Sequence, residues 1–457
     1  DNWLYAAIQL LLTLIYLAVL LIKVCEDSGE VCETFGFGSS SSGVFLFFMI
    51  FSTTALVALL VLGVAQVFYA SSRSVPVLLL QKNATRPELS LAKKAVYHLF
   101  LSHIWQSGQD QVAVIKRQLQ LCLPGARIFL DVDDLLDISA LESYIAASAA
   151  VLIFLSKGYF VSRNCLREVR SSKDSKKPLI LVHEADLSKG GIALEDSRGE
   201  CPEDLRYFVF GDRGVVRWHR IADFQKLSLK LIADGLLRAS PLFQDLPKDT
   251  LAKWLRFPGE SSIEKLYLYP TLALQFSADN PGAKEVVQEL KERLAGLALR
   301  EVDETSSAAS KPSRSVTAGA PATVGPLLLY LNKVTFVGEQ GARLATIVRA
   351  ARAAGTRVVL FHENDEALGG GPFSWHFTTT PEDLIYDGLF SDLAIEFFET
   401  PHREVSLVHA ARALGAKGEI TQARILHKIS SKSWLPTGRR NAKPTEGAAS
   451  TLESPRV

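Results

Sequence analysis

Residues 179–186 (LILVHEAD) and 358–365 (VVLFHEND) share one pattern: four apolar residues, His-Glu, and a closing Asp. A second pair, 155–161 (LSKGYFV) and 331–337 (LNKVTFV), falls one step earlier in each half. Short apolar runs with polar corners fit strands buried on both faces, and amphipathic helical stretches separate them here. This alternation constrains the chain to parallel sheets covered by helices. The matching pairs read as an internal duplication of one such unit.

In the first copy the pattern predicts strands at 97–101, 127–131, 150–155, 178–183 and 214–218. Helices are predicted at 110–121, 138–147, 161–172, 202–208 and 224–237. The second copy has predicted strands at 265–269, 297–302, 327–331, 357–361 and 393–397. Its helices are predicted at 281–294, 341–354, 381–389 and 402–414, the first with Asn280 as N-cap and Pro281 at its first position. The expected fold class is α/β, with two flavodoxin-like domains of five parallel strands each, at 95–240 and 262–416. Residues 303–324, rich in Ser, Ala, Thr and Pro, read as a flexible insert. The basic tail 417–457 reads as disordered.

The first seventy residues differ. Residues 3–22 and 44–69 are uncharged apolar runs of membrane-spanning length. They predict a two-helix transmembrane hairpin over 1–72 and a linker over 73–94. Acidic residues fill the connection (Glu26, Asp27, Glu30, Glu33), and basic ones follow the second run (Arg73, Lys82, Arg86). The positive-inside rule then predicts a multi-pass membrane protein with its α/β domains in the cytosol. Cys25 and Cys32 would lie outside, where they could pair. The only Met is Met49, so the chain is expected to be part of a longer polypeptide, for example the cytosolic regulatory region of a receptor or channel.

A formal net charge of +1 gives no reason to expect a nucleic-acid partner. Cys122, Cys165 and Cys201 are scattered, without zinc spacing. The first strand is followed by SHIWQSGQD, with one Gly, which excludes a dinucleotide fingerprint and a P-loop. Ligands of parallel sheets bind at the carboxyl ends of the strands. Those ends carry Ser102, His103, Asp131, Ser156, Lys157, His183 and Glu184. His183-Glu184 and His362-Glu363 lack the second His of a metalloprotease motif, and are read as polar strand ends bonded to backbone. The acids of 129–148 suit either a divalent cation or a helix N-terminus, with the second reading preferred. Glu168 lies beside the apolar stripe formed by Cys165, Leu166 and Val169. Ser171 and Ser172 follow at i+3 and i+4, so no helical ion pair accounts for it.

Three segments resemble the TIR (Toll/interleukin-1 receptor/resistance) domain: LFLSHIW, IFLDVDDLLDI and FLSKGYFVSRNCLREV. The likeness spans about 95–237. The second copy looks like a degenerate relative. The resemblance implies one of two functions. The first is signalling by TIR–TIR association through the loop after the second strand, here Asp133, Asp134, Leu135 and Asp137. Its partners would be other TIR domains and a second copy, at a lipid bilayer. The second is NAD⁺ hydrolysis with Glu168 as the catalytic carboxylate, NAD⁺ being the substrate and no cofactor being required. A carboxylate there would stabilise an oxocarbenium-like centre. Ser102, His103, Trp105 and Asp131 would then line the NAD⁺ site. Asn164 stands where the family pattern has Trp, and ungapped alignment of the second copy sets Leu344 opposite Glu168.

Overall fold

The structure, a computed structural model, describes residues 2–34, 41–72, 76–130, 141–247, 250–304 and 322–418. The chain divides into two compact units, Asp1–Trp218 with Leu229–Pro258, and His219–Ser228 with Gly259–Val457.

The chain opens with helices α1 (Asn2–Asp27) and α2 (Ser41–Ser72). Among the described residues, only Met49–Gln66 of α2 is long and apolar enough to cross a membrane. It has a mean hydropathy of 2.0, and none of it is buried. The apolar stretch of α1 is shorter, Ile15–Val24. Lys23, Glu26 and Asp27 lie at the end of that helix. The expected pair of spans, and the multi-pass topology built on it, is therefore not supported. The side chains of Cys25 and Cys32 lie outside the described set.

The first sheet contains β1 (Tyr97–Ser102), β2 (Ile128–Leu130), β3 (Ser148–Leu155), β4 (Leu179–His183) and β5 (Val215–Arg217). All neighbours are parallel, in the order β2-β1-β3-β4-β5. This is a doubly wound order, with its switch point between β1 and β3. Its helices are α3 (Trp105–Cys122), α4 (Leu141–Ala146), α5 (Arg163–Asp174), α6 (Glu203–Phe210) and α7 (Ala222–Arg238). Strand alternation sorts the core into two layers. Leu99, Leu101, Leu152 and Phe154 meet Ile115 and Leu119 of α3 and Ile232 and Leu236 of α7. Phe100, Val151, Ile153 and Leu155 meet Ile145 of α4, Val169 of α5 and Val209 of α6. Within 73–94, Leu78 is fully buried in the first of these layers. Leu79–Leu80 pairs antiparallel with Leu255–Arg256, a ribbon the sequence pattern did not predict.

The second sheet contains β6 (Tyr267–Phe276), β7 (Ala295–Glu301), β8 (Thr323–Leu331), β9 (Val358–Glu363) and β10 (Ile395–Phe397). Its order is β7-β6-β8-β9-β10, again all parallel, so both sheets share one topology. Its helices include α8 (Ala283–Arg293), α9 (Gly338–Ala353), α10 (Glu382–Tyr386) and α11 (Arg403–Ala413). Strand β6 runs well past the predicted 265–269, and Lys265 belongs to a 3₁₀ turn before it. Asn280 does not cap α8. Its amide bridges to β8, donating to the Tyr330 carbonyl at 2.8 Å and accepting from the Tyr330 N–H at 2.7 Å. Gly282, in the left-handed region at φ 82°, holds the cap position instead.

Candidate functional site

The loops after β4 and β9 are built alike. The His183 Nε2 lies 2.7 Å from the Ile192 carbonyl, and the His362 Nε2 lies 2.9 Å from that of Gly371. Glu184 and Glu363, both fully buried, each accept through Oε1 from the N–H two residues on, that of Asp186 or Asp365. Asp186 and Asp365 then cap the following turns through their side chains. Gly190 and Gly369 adopt φ near 80° and accept from the N–H groups of Lys157 and Lys333. These polar strand ends satisfy backbone groups, as read from the sequence.

Ser102, Tyr159, Cys165 and Glu168 of the first unit converge on one layer of the core. Phe100 of β1 faces α4, α5 and α6, so Ser102, two residues on, points to the same side. Gly158, at φ 83°, turns the chain after β3 into the short helix Tyr159–Val161. Ser162 then caps α5 by accepting from the Cys165 N–H. Cys165, Glu168, Val169 and Ser172 form the buried side of α5.

Glu168 is 6% exposed, and its Oε2 accepts from Ser102 Oγ at 2.5 Å. Ser102 also bonds the hydroxyl of Tyr159. A serine hydroxyl has one proton. Ser102 gives it to Glu168, so Tyr159 is the donor to Ser102. The relay runs Tyr159 to Ser102 to Glu168, from a 3₁₀ turn through a strand end to a helix. Burial, then the proximity of Cys165 and Glu168, raises the Tyr159 pKa well above its ordinary value and keeps its proton in place. The chemistry available here is that of a fixed, hydrogen-bonded interior carboxyl group.

The other expected site residues are placed differently. His103 is buried, at the start of the turn from β1 to α3. Trp105 is the first residue of α3 and is 59% exposed; the helix starts five residues before the predicted 110. Asp131, Asp133, Asp134, Leu135 and Asp137 lie outside the described residues. Among the described residues, no group of three or more His, Cys, Asp or Glu is placed to hold a metal ion.

The second unit has its own interior carboxylate, Glu363, which the sequence reading placed at a polar strand end without its side-chain partners. Glu363 Oε2 accepts from Arg403 Nη1 at 2.8 Å and from the Tyr330 hydroxyl at 2.6 Å. Arg403 also meets Glu289 at 3.0 Å. Burial disfavours the guanidinium charge, but the bonds to Glu363 and Glu289 outweigh it and raise the Arg403 pKa. Leu344, set opposite Glu168 by alignment, is an apolar core residue of α9.

No family model matches the chain, and no curated protein matches it. Among solved structures it is similar to a metazoan TIR-STING receptor from C. gigas, solved in complex with 2',3'-cGAMP. The identity is 17% over 31% of this chain, with a TM-score of 0.23. The matched region spans 42% of that receptor's chain, less than half its length.

Proposed function

We propose that the chain is a membrane-anchored signalling protein whose first α/β unit is a TIR-type domain and acts by association with other TIR domains, a second copy included. Met49–Gln66 is the segment suited to anchoring it, with the α/β units on the cytosolic side. The second unit, with the same strand order and the same loop after its fourth strand, is a divergent duplicate. One observation carries the reading. The carboxyl group of Glu168, the motif position tied to NAD⁺ cleavage, is interior and bonded to Ser102. A group used to hold a strand end to a helix supports a binding role rather than a catalytic one.

The test is self-association of the full chain in detergent, read by light scattering across a concentration series. Wild type is expected to assemble. Asp134→Lys with Asp137→Lys is expected to stay monomeric with an unchanged melting temperature. A monomeric wild type, or equal assembly of both proteins, refutes the reading.

A second reading, NAD⁺ hydrolysis with Glu168 as the carboxylate, is favoured by the meeting of Ser102 and Glu168 at the carboxyl end of β1, where doubly wound sheets bind ligands.

A further inference from the structure

The outer face of α5 carries Arg163, Arg167 and Arg170, spaced i, i+4 and i+7 and so on one side of the helix. With Glu142 and Ser143 of α4, and Ser171, they line a groove of 660 Å³. That volume is in the range of small-molecule sites, roughly 300–1,000 Å³. Glu142 is fully engaged by Arg167, through Nε and through Nη2 at 2.6 Å. Among the described residues, the side chains of Arg163 and Arg170 make no ion pair or hydrogen bond. The exposed arginines of the second unit differ: Arg343, Arg349 and Arg352 are paired with Asp279, Asp383 and Asp387.

Arg163 also breaks a local rule. It is the first residue of α5, and the first turn contains no acidic residue. A cation there opposes the helix macrodipole, whose N-terminus favours negative charge. Uncompensated breaks of this kind are expected at functional sites. An anion in the groove removes the conflict, since it pairs both guanidiniums and lies at the positive end of the helix. The backbones of Arg163 and Arg170 are separated by about 10 Å along the axis, so two long side chains reach one group from either side. Asp174, the groove's other acid, lies about 16 Å from Arg163 along the helix, and leaves the Arg163 end positive. The guanidinium fork matches phosphate oxygens.

We propose that this groove binds the phosphate groups of a small anionic ligand. The site is separate from the Ser102–Glu168 contact and holds whether or not the association reading does. A free phosphorylated metabolite and a lipid headgroup present the same chemistry.

The test is calorimetric titration of the full chain in detergent with inorganic pyrophosphate. Wild type is expected to bind. Arg163→Gln with Arg170→Gln is expected to weaken binding at least about tenfold, with an unchanged melting temperature. Arg163→Lys with Arg170→Lys is expected to fall between, keeping charge and losing the fork. Arg343→Gln, in the second unit, is expected to bind as wild type does. The proposal is overturned by absent binding at millimolar pyrophosphate, by equal binding to the double glutamine variant, or by a hexaglutamate peptide binding as tightly as pyrophosphate. Nanodiscs of phosphatidylcholine, with and without phosphatidylinositol 4-phosphate, separate the sources. Loss of pyrophosphate affinity only with the phosphoinositide identifies a headgroup, and unchanged affinity identifies a free ligand.

Discussion

Changing Glu168 separates an interior carboxyl group from a catalytic one. Its Oε2 accepts from Ser102 at 2.5 Å, and Ser102 accepts from Tyr159. Ser102→Ala deletes both bonds, stranding the proton of the fully buried Tyr159 and weakening the hold on Glu168, only 6% exposed. A hydrogen bond to a charged group contributes about 1.5–3 kcal/mol, and an unsatisfied buried partner adds its desolvation cost, so a loss of about 3 kcal/mol is expected. Glu168→Ala removes the acceptor and leaves a gap in the layer containing Cys165 and Val169. The expected cost is again about 2–4 kcal/mol. Tyr159→Phe loses one neutral bond, at about 1 kcal/mol. The two larger losses share one contact. The double variant Ser102→Ala/Glu168→Ala should therefore be less destabilised than the sum, by about 1–2 kcal/mol. The assay is hydrogen exchange of α5 and β1 in the full chain, with NAD⁺ consumption followed over hours in the same samples. An open catalytic carboxylate behaves oppositely, since removing it leaves stability unchanged or improved. Glu168→Ala within about 0.5 kcal/mol of wild type, together with loss of a measurable NAD⁺ turnover, refutes the interior role and supports the hydrolase reading.

Two further outcomes concern the second unit. Burial first, then the neighbouring His362, holds His376 at a pKa of about 4, against an ordinary 6.5. The unfolded chain takes up this proton as pH falls through 6.5, and the folded chain only near 4. Stability is therefore full above 6.5 and falls by about 3 kcal/mol by pH 4. Hydrogen exchange of α9 across that range should show the loss, and His376→Gln should flatten it; an equal slope in the variant counts against the assignment. Arg403→Met leaves the fully buried Glu363 with an uncompensated charge, at a cost of about 3–5 kcal/mol. Urea melts should show this and a recovery of most of it in Arg403→Met/Glu363→Leu; a single variant as stable as wild type contradicts the pairing.

Much of the fold was legible because its strands are buried on both faces. Alanine and aliphatic runs such as 149–155 have few other stable placements in a soluble unit. The His-Glu corners were legible too, since their bonds run to backbone within nine residues. Local signals misled where a distant partner competed. Asn280 has the look of a helix cap, yet it is bonded to Tyr330, fifty residues on. Trp105 stands before the first apolar repeat of α3, and the helix begins there all the same. The uncharged runs at 3–22 and 44–69 read alike, but among the described residues only Met49–Gln66 of α2 is long and apolar enough to cross a membrane. The free arginines of α5 were visible as letters; that Glu142 engages Arg167 alone was not.

By itself, the sequence determined the alternation of strands and helices, the matching corners of the two halves, and the motif that places Glu168 on a helix after β3. These rest on periodicity and turn chemistry, which act over a few residues. The tertiary structure decided that Ser102 meets Glu168 across 66 positions. It also decided that Glu363 finds Arg403, and that Glu142, in the groove lined by Arg163, pairs with Arg167. Those outcomes depend on which strand ends the parallel crossovers bring together, and on what water leaves when they pack. The state of a carboxylate is set by that environment, and its neighbours in sequence do not supply it.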